Sequence, residues 1–94
     1  MNKQEAIDLL ENELEFFRSF SHQDLKKNVD QEPITKEVTS KDGKKYQIEI
    51  CTHWDDNPQG NIRVIGAIDD GGLRAFFPLS RDFIKSPKNE FIDE

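Results

Sequence analysis

Apolar side chains recur every three or four positions between residues 3 and 20, which is the spacing of one helix face. The apolar stripe consists of Ile7, Leu9, Leu10, Leu14, Phe16, Phe17 and Phe20. Glu11 and Glu15 lie on the opposite, polar side of this predicted helix. A charged side of this kind is typical of a solvated helix face, and a docking stripe for a basic partner is the alternative interpretation.

From Pro33 onward the apolar pattern changes to a period of two, which predicts β-strands. The four predicted strands are residues 34–39, 45–54, 62–68 and 73–79. Turn segments rich in Gly, Asp, Asn or Pro separate them, so we expect the strands to follow one another as an antiparallel meander. The polar segment 21–32 connects the helix to this sheet, and we expect its His22 to be exposed and unimportant.

Together these elements predict an α+β fold, in which the N-terminal helix packs on one face of a four-stranded antiparallel sheet. A chain of 94 residues is long enough for one domain with one modest core. We therefore expect a single domain, residues 1–94. Its expected parts are the helix in 1–20, the sheet in 33–79, and a C-terminal tail in 80–94 that folds back.

The turns also predict how the strands pair. The sequence Asp-Asp-Gly-Gly at 69–72 is typical of a hairpin turn and sets Ile68 opposite Leu73. The preceding loop sets Trp54 opposite Ile62. Both registers keep apolar or small residues together on one face, which supports them because a one-residue slip would move every side chain to the other face.

The other face of the predicted sheet is less polar than a solvated face should be. It carries Glu49, Cys51, His53, Arg63, Ile65, Ala67, Arg74 and Phe76. Either the C-terminal tail covers its apolar patch with Phe83 or Phe91, or the patch is a protein-binding or dimer surface.

Two Asp-Asp pairs, Asp55-Asp56 and Asp69-Asp70, are the strongest candidates for chemistry. The strand between them spans about 23 Å, so the pairs cannot share a metal ion. The second pair is accounted for by its turn. The first pair lies next to His53 in the sequence and carries the alternative hypothesis of a small hydrolase or metal-dependent enzyme, in which Asp82 is a further ligand.

Two further side chains bear on this hypothesis. Arg81 is expected at the same end of the sheet, where it can pair with Asp55 or Asp56. Cys51 and His53 share a strand face, but the middle of a strand offers no cleft, so we interpret them as a buried-edge thiol beside a surface imidazole. The sequence contains no phosphate-binding loop, dinucleotide fingerprint or zinc-ligand spacing, and we assign no catalytic, cofactor or metal residue.

Composition narrows the class of protein. The net charge is −6, and no basic block stands out, which argues against nucleic-acid binding. The acidity is ordinary for a soluble cytoplasmic protein, and a basic protein partner is the alternative interpretation. No apolar run approaches the roughly 20 residues of a membrane span, and the N-terminal residues lack the apolar core of a signal peptide. The single cysteine allows no intramolecular disulfide, so we expect a cytoplasmic protein.

The segment from about Tyr46 to Phe91 resembles an uncharacterised family of small bacterial domains of unknown function. The similar features are the Trp-Asp-Asp turn, Ile62-Arg63-Val64, the Asp-Asp-Gly-Gly hairpin, Arg74-Ala75-Phe76, Pro78-Leu79 and Phe83-Ile84. The family implies no activity, and small acidic proteins of this general kind resemble immunity proteins, which neutralise a toxin by binding it.

The sequence thus favours a non-catalytic protein-binding module, immunity- or inhibitor-like. A small enzyme is one alternative, and a structural subunit or homodimer without ligand is another. The residues expected to bind the partner are Glu11, Glu15, His53, Asp55, Asp56, Arg63, Ile65, Arg74 and Phe76.

Overall fold

A computed structural model describes residues 2–71 and 78–94 of the chain. Its elements are α1 (Lys3–Arg18), α2 (His22–Lys26), β1 (Ile34–Thr39), β2 (Lys45–Trp54), β3 (Ile62–Asp69), β4 (Leu79–Lys85) and β5 (Phe91–Ile92). The strands form one antiparallel sheet in the order β1-β2-β3-β4-β5. The predicted α+β class with an N-terminal helix on an antiparallel sheet is confirmed, but the described residues contain five strands where we expected four. None of the helices in these residues is long and apolar enough to cross a membrane.

Helix α1 begins where the sequence predicts and ends slightly earlier. The side chain of Asn2 accepts a hydrogen bond from the backbone N–H of Glu5 at 3.1 Å and so caps the first turn. The last turn closes at Ser19, whose side chain donates to the carbonyl of Phe16. The buried face of α1 consists of Ala6, Leu10, Leu14 and Phe17. This face packs mainly on β3 and β4, so α1 lies over the central strand and its neighbour rather than over the edge strand β1.

Gly66 in β3 sets how closely α1 approaches the sheet. A Cβ atom at this position would lie 2.8 Å from Cδ1 of Leu10 and 3.2 Å from Cδ2 of Leu14. Because both leucines are fully buried, neither can move away without disturbing the core. The glycine is therefore required by space, and it fixes the depth at which the helix packs.

The predicted pairing of β2 with β3 is confirmed. Trp54 pairs with Ile62, and Ile48 pairs with Ile68. Burial alternates along β2, with Tyr46, Ile48 and other even-numbered residues on the helix side and exposed residues between them. The loop before β3 is closed by the N–H of Asp55, which donates to the carbonyl of Asn61 at 2.8 Å.

The predicted partner of β3 is wrong. Ile68 pairs with Leu79 and Val64 pairs with Phe83, so the segment expected as a tail supplies β4 and β5. Leu73, the expected partner of Ile68, lies outside the described residues, as does the rest of the predicted fourth strand up to residue 77.

The sequence of β4 lacks the apolar alternation that predicts a strand, and two of its residues explain why. Arg81 and Lys85 lie on the helix side of the sheet, where the alternation rule expects apolar residues. Nε of Arg81 is 3.6 Å from a carboxylate oxygen of Glu11 in α1. The ammonium group of Lys85 donates hydrogen bonds to the carbonyls of Arg18 and Phe20 at 2.8 and 2.6 Å. Lys85 therefore satisfies two carbonyls at the end of α1 from a buried position, whereas Arg81 stays exposed and contacts Glu11 only loosely.

Residues 91–94 contact Arg18, the last residue of α1. Arg18 donates to both carboxylate oxygens of Glu94 at 2.6 and 2.7 Å. Its guanidinium also lies over the rings of Phe83 and Phe91, with its central carbon 4.9 and 5.2 Å from the ring centres. The ammonium of Lys85 is 4.9 Å from the centre of the Phe91 ring. Residues 91–94 thus close the helix side of the sheet.

The expectation that His22 is exposed is wrong. Its side chain is 9% exposed, and Nε2 lies 2.7 Å from the carbonyl oxygen of Gly60. Since a carbonyl oxygen only accepts, Nε2 carries the proton in this contact. The backbone N–H of His22 donates to the side chain of Asn89 at 2.7 Å. The polar segment after α1 therefore contains a short helix, α2, that ties together two distant loops.

Candidate functional site

The residues predicted to bind a partner are distributed over separate surfaces. Glu11 and Glu15 are exposed on α1. His53, Arg63 and Ile65 lie on the face of the sheet that points away from α1. Arg74 and Phe76, predicted for the same face, lie outside the described residues.

Arg63 organises the polar part of the face away from α1. Its Nε donates to Oδ1 of Asp55 at 2.9 Å, and its Nη1 donates to the carboxylate of Asp82. These two carboxylates raise the pKa of Arg63, with the hydrogen bond to Asp55 as the larger cause. The predicted pairing of Arg81 with Asp55 or Asp56 is wrong, because Arg81 points to the helix side of the sheet and contacts Glu11.

This arrangement does not favour a metal centre at the first Asp pair. The carboxylate of Asp55 is 16% exposed and is held by Arg63, which competes with any cation for the same oxygen. His53 and Asp56 are both exposed. Within residues 2–71 and 78–94, no group of three potential metal-ligating side chains comes together.

The second Asp pair takes part in a turn at the far end of β3. The side chain of Asp69 accepts a hydrogen bond from the N–H of Gly71 at 2.8 Å. Gly71 has a φ of +83°, a backbone conformation that glycine adopts at no steric cost. The turn chemistry predicted for this pair is therefore present, and the residues that follow Gly71, up to residue 77, lie outside the described part of the chain.

Cys51 is half-buried in β2, and its thiol lies 3.6 Å from a carboxylate oxygen of Glu49. Burial raises the pKa of Cys51, and the negative charge of Glu49 raises it further. A nucleophilic or metal-binding cysteine needs the thiolate form, which both effects disfavour. The half-buried thiol and the exposed His53 agree with our interpretation of a buried-edge thiol beside a surface imidazole.

We expected Phe83 or Phe91 of the C-terminal segment to cover the apolar patch on the face away from α1, and this expectation is wrong. Phe83 is buried in the core on the helix side. Phe91 packs edge-on against Phe83, with ring centres 5.9 Å apart, and is itself 41% exposed. Neither ring therefore reaches Ile65, which is half-buried on the opposite face.

A first groove, which we call the acidic groove, runs beside the exposed side of α1. It is lined by Glu11, Glu15, Arg18, Ser19, Phe91 and Glu94 and has a volume of about 490 Å³. Since Arg18 is paired with Glu94, the charge that remains unbalanced belongs to Glu11 and Glu15, of which Glu11 is only loosely contacted by Arg81. Phe91, which is 41% exposed, adds an aromatic ring to the lining of the same groove.

A second groove was missed by sequence reasoning. The α1–β1 groove, between the helix and the first strand, is lined by Glu13, Phe16, Phe17, Ile34, Lys36, Ile48 and Ile50 and has a volume of about 340 Å³. Phe16 is 58% exposed and Ile34 is 41% exposed. Among the described residues, they are two of the three large apolar side chains that remain exposed. The position of Phe16 at the margin of the helical stripe was the available signal.

Comparisons of this chain with models of protein families, with curated proteins and with solved structures find no match. The resemblance to a family of small bacterial domains therefore stays a prediction. The proposals that follow depend on the two grooves and on the charges around them.

Proposed function

We propose that this protein is a non-catalytic, immunity- or inhibitor-like module that binds a basic protein through the acidic groove. The observation that supports this proposal most is the exposure of Glu11 and Glu15 beside the exposed ring of Phe91. Carboxylates around an apolar centre resemble the polar rim and apolar core of a protein interface.

The charge distribution supports a basic partner. Residues 1–20 contain five acidic and two basic side chains, and the whole chain has a net charge of −6. Carboxylates on a negatively charged surface speed association with a cationic partner and disfavour the binding of acidic partners. The ring of Phe91 already lies near the cationic groups of Arg18 and Lys85, so we expect it to contribute apolar contact at its exposed edge.

The face away from α1 is a weaker candidate for the same role. Arg63 holds Asp55 and Asp82, so its positive charge offsets one of these two negative charges and both carboxylates are already bound. Ile65 is half-buried, whereas Phe91 is exposed. We therefore place the partner on α1 and its neighbours first.

Affinity capture with charge-reversed variants tests this proposal. The protein is immobilised and exposed to a lysate of the organism that encodes it, and the captured proteins are identified by mass spectrometry. We expect a basic protein that is captured by the wild type and by the control Glu32→Lys, because Glu32 is exposed and lies outside the acidic groove. The double variant Glu11→Lys/Glu15→Lys should not capture it. If the double variant captures the same basic protein as the wild type, docking at the acidic groove is overturned.

A further inference from the structure

The outer edge of β1 is open. This strand pairs only with β2, and every residue in it except Val38 is exposed. Ser40 directly follows β1, and Lys44 directly precedes β2. The N–H of Ser40 donates to the carbonyl of Lys44, so the backbone groups of Ser40 point toward β2. Because hydrogen-bonding direction alternates along an antiparallel pair, every second residue of β1 turns its N–H and C=O outward. These residues are Thr35, Glu37 and Thr39.

Beside this edge lies the α1–β1 groove. Since α1 packs mainly on β3 and β4, it leaves the helix side of β1 largely exposed, while the neighbouring residues Ile48 and Ile50 of β2 are buried and line the groove. Phe16 and Ile34 face each other across the resulting groove. A strand added to β1 would satisfy the outward backbone groups, and its side chains on the helix side would fill the groove and bury both residues.

We propose that the β1 edge binds an extended segment of a basic partner protein, which joins the sheet as an additional strand. This inference rests on the proposed function as a protein-binding module, and it adds a second surface to the acidic groove. It also states how the partner is recognised: through backbone hydrogen bonds along β1 and through side-chain contacts on each face of the added strand.

The charges on β1 specify the segment. Lys36, on the helix side, is bound to Glu13 at 2.6 Å. Glu37, on the other side, receives only a long contact of 3.4 Å from the amide of Gln47, and no Lys or Arg of the described residues pairs with it. The edge therefore presents one unbalanced negative charge. We expect a Lys or Arg opposite Glu37 and an apolar residue opposite Ile34, three positions apart and on opposite faces of the added strand.

A second copy of this chain fits the same edge poorly. When two β1 strands pair about a twofold axis, the residues whose N–H and C=O groups point outward must lie opposite one another. The two registers that overlap most of the strand are centred on Lys36 and on Glu37. The first sets Lys36 opposite Lys36, and the second sets Glu37 opposite Glu37. Like charges directly opposite each other destabilise an antiparallel pair, which disfavours the register centred on Glu37 most, because each Lys36 is already paired with Glu13. A segment that places Lys or Arg opposite Glu37 gains an ion pair that a second copy lacks in both registers, so a basic partner is favoured over self-association.

Selection from a phage library of random dodecamer peptides tests this proposal. We expect enriched peptides with an apolar and a basic residue three positions apart. The enriched peptides are then synthesised, and their affinities are measured by fluorescence anisotropy against two variants at one position. Thr35→Pro removes an outward N–H that the sheet itself does not use, and proline is tolerated at such edge positions. Thr35→Ala is the matched control, because it keeps the N–H.

We expect Thr35→Pro to weaken binding by about tenfold or more, which corresponds to one lost backbone hydrogen bond, and Thr35→Ala to leave it unchanged. If Thr35→Pro does not fold, the Glu37→Lys variant is measured instead. It should lower the affinity for the same peptides while leaving the backbone N–H and C=O groups in place. Hydrogen exchange at the amides of Glu37 and Thr39 should slow when a peptide is bound.

Several outcomes would overturn the proposal. The first is a selection that enriches no peptide, and the second is equal affinity for the Thr35→Pro and Thr35→Ala variants. A loss of binding only in Glu11→Lys/Glu15→Lys would reject the β1 edge while leaving the proposed function standing. A wild-type dimer that Thr35→Pro converts to monomer, measured by light scattering, would show that a second copy occupies the edge instead.

Discussion

Replacing Lys85 by methionine tests how the charged side chains of β4 hold α1 on the sheet. Lys85 is 6% exposed, and its ammonium donates to the carbonyls of Arg18 and Phe20 at the end of the helix. Burial lowers the pKa of Lys85, which shows that desolvation of the charge has a cost. Methionine keeps most of the buried stem and removes only the charged donor.

Two opposing effects determine the result. Removing the ammonium relieves its desolvation, but it leaves two carbonyl oxygens without their donor. A hydrogen bond from a charged donor contributes about 1.5–3 kcal/mol, and a cation at a helix C-terminus adds about 0.3–1 kcal/mol. Because two such bonds are lost, we expect the loss to exceed the relief. The net destabilisation of the Lys85→Met variant should be about 2 kcal/mol.

The measurement is chemical denaturation followed by circular dichroism, together with a thermal melt. In a domain of this size, about 2 kcal/mol lowers the melting temperature by roughly 8–16 °C. The matched control is Lys36→Met, because the side chain of Lys36 is 57% exposed and its ion pair with Glu13 should contribute about 1 kcal/mol or less. A Lys85→Met variant as stable as the wild type would refute the idea that this ammonium caps α1.

Three further substitutions test other contacts of the fold. Gly66→Ala should destabilise the protein by about 1–3 kcal/mol in urea denaturation, because the new methyl group overlaps a buried leucine of α1. His22→Leu should lower stability by about 1–2 kcal/mol in the same assay, since the carbonyl of Gly60 loses its donor, and His22→Gln should lose less. Alkylation of Cys51 by iodoacetamide at pH 8 should be slower than that of a free cysteine and should accelerate in Glu49→Gln, because both burial and Glu49 raise its pKa. The raised pKa also makes unfolding easier as the pH rises above 9.0, since the unfolded thiol ionises first, and Cys51→Ser should remove that part of the pH dependence.

The helix and the first three strands were predictable because their sequences keep one period throughout. Leu10 and Leu14 follow the helical spacing, and Ile48 and Ile50 follow the strand spacing. The loop before β3 then fixed the pairing of β2 with β3. In each of these elements, local pattern and tertiary burial agree.

The fourth strand was not predictable from alternation. Residues 73–79 have the more regular apolar pattern, whereas β4 carries Arg81 and Lys85 on its buried side. Their charges are satisfied by groups of α1 that are distant in the sequence, and an alternation rule contains no information about such partners. Tertiary contacts, rather than alternation, therefore decide which segment pairs with β3.

The same error displaced part of the candidate site. Asp82 pairs across β3 and β4 with Ile65, which puts its carboxylate next to Arg63. With the predicted register, this ion pair could not be recognised. The α1–β1 groove was missed for a different reason: its existence depends on where α1 crosses the sheet, and periodicity shows only which side of the helix is buried.

The binding affinity of the captured partner for charge-reversed variants tests most directly whether the acidic groove is a docking site. The purified partner is titrated by calorimetry into the wild type, Glu32→Lys and Glu11→Lys/Glu15→Lys. We expect equal dissociation constants for the first two proteins, and a dissociation constant at least about tenfold higher for the double variant at low salt, with the difference shrinking as salt is added. Equal dissociation constants for all three proteins would contradict the proposal that Glu11 and Glu15 bind the partner.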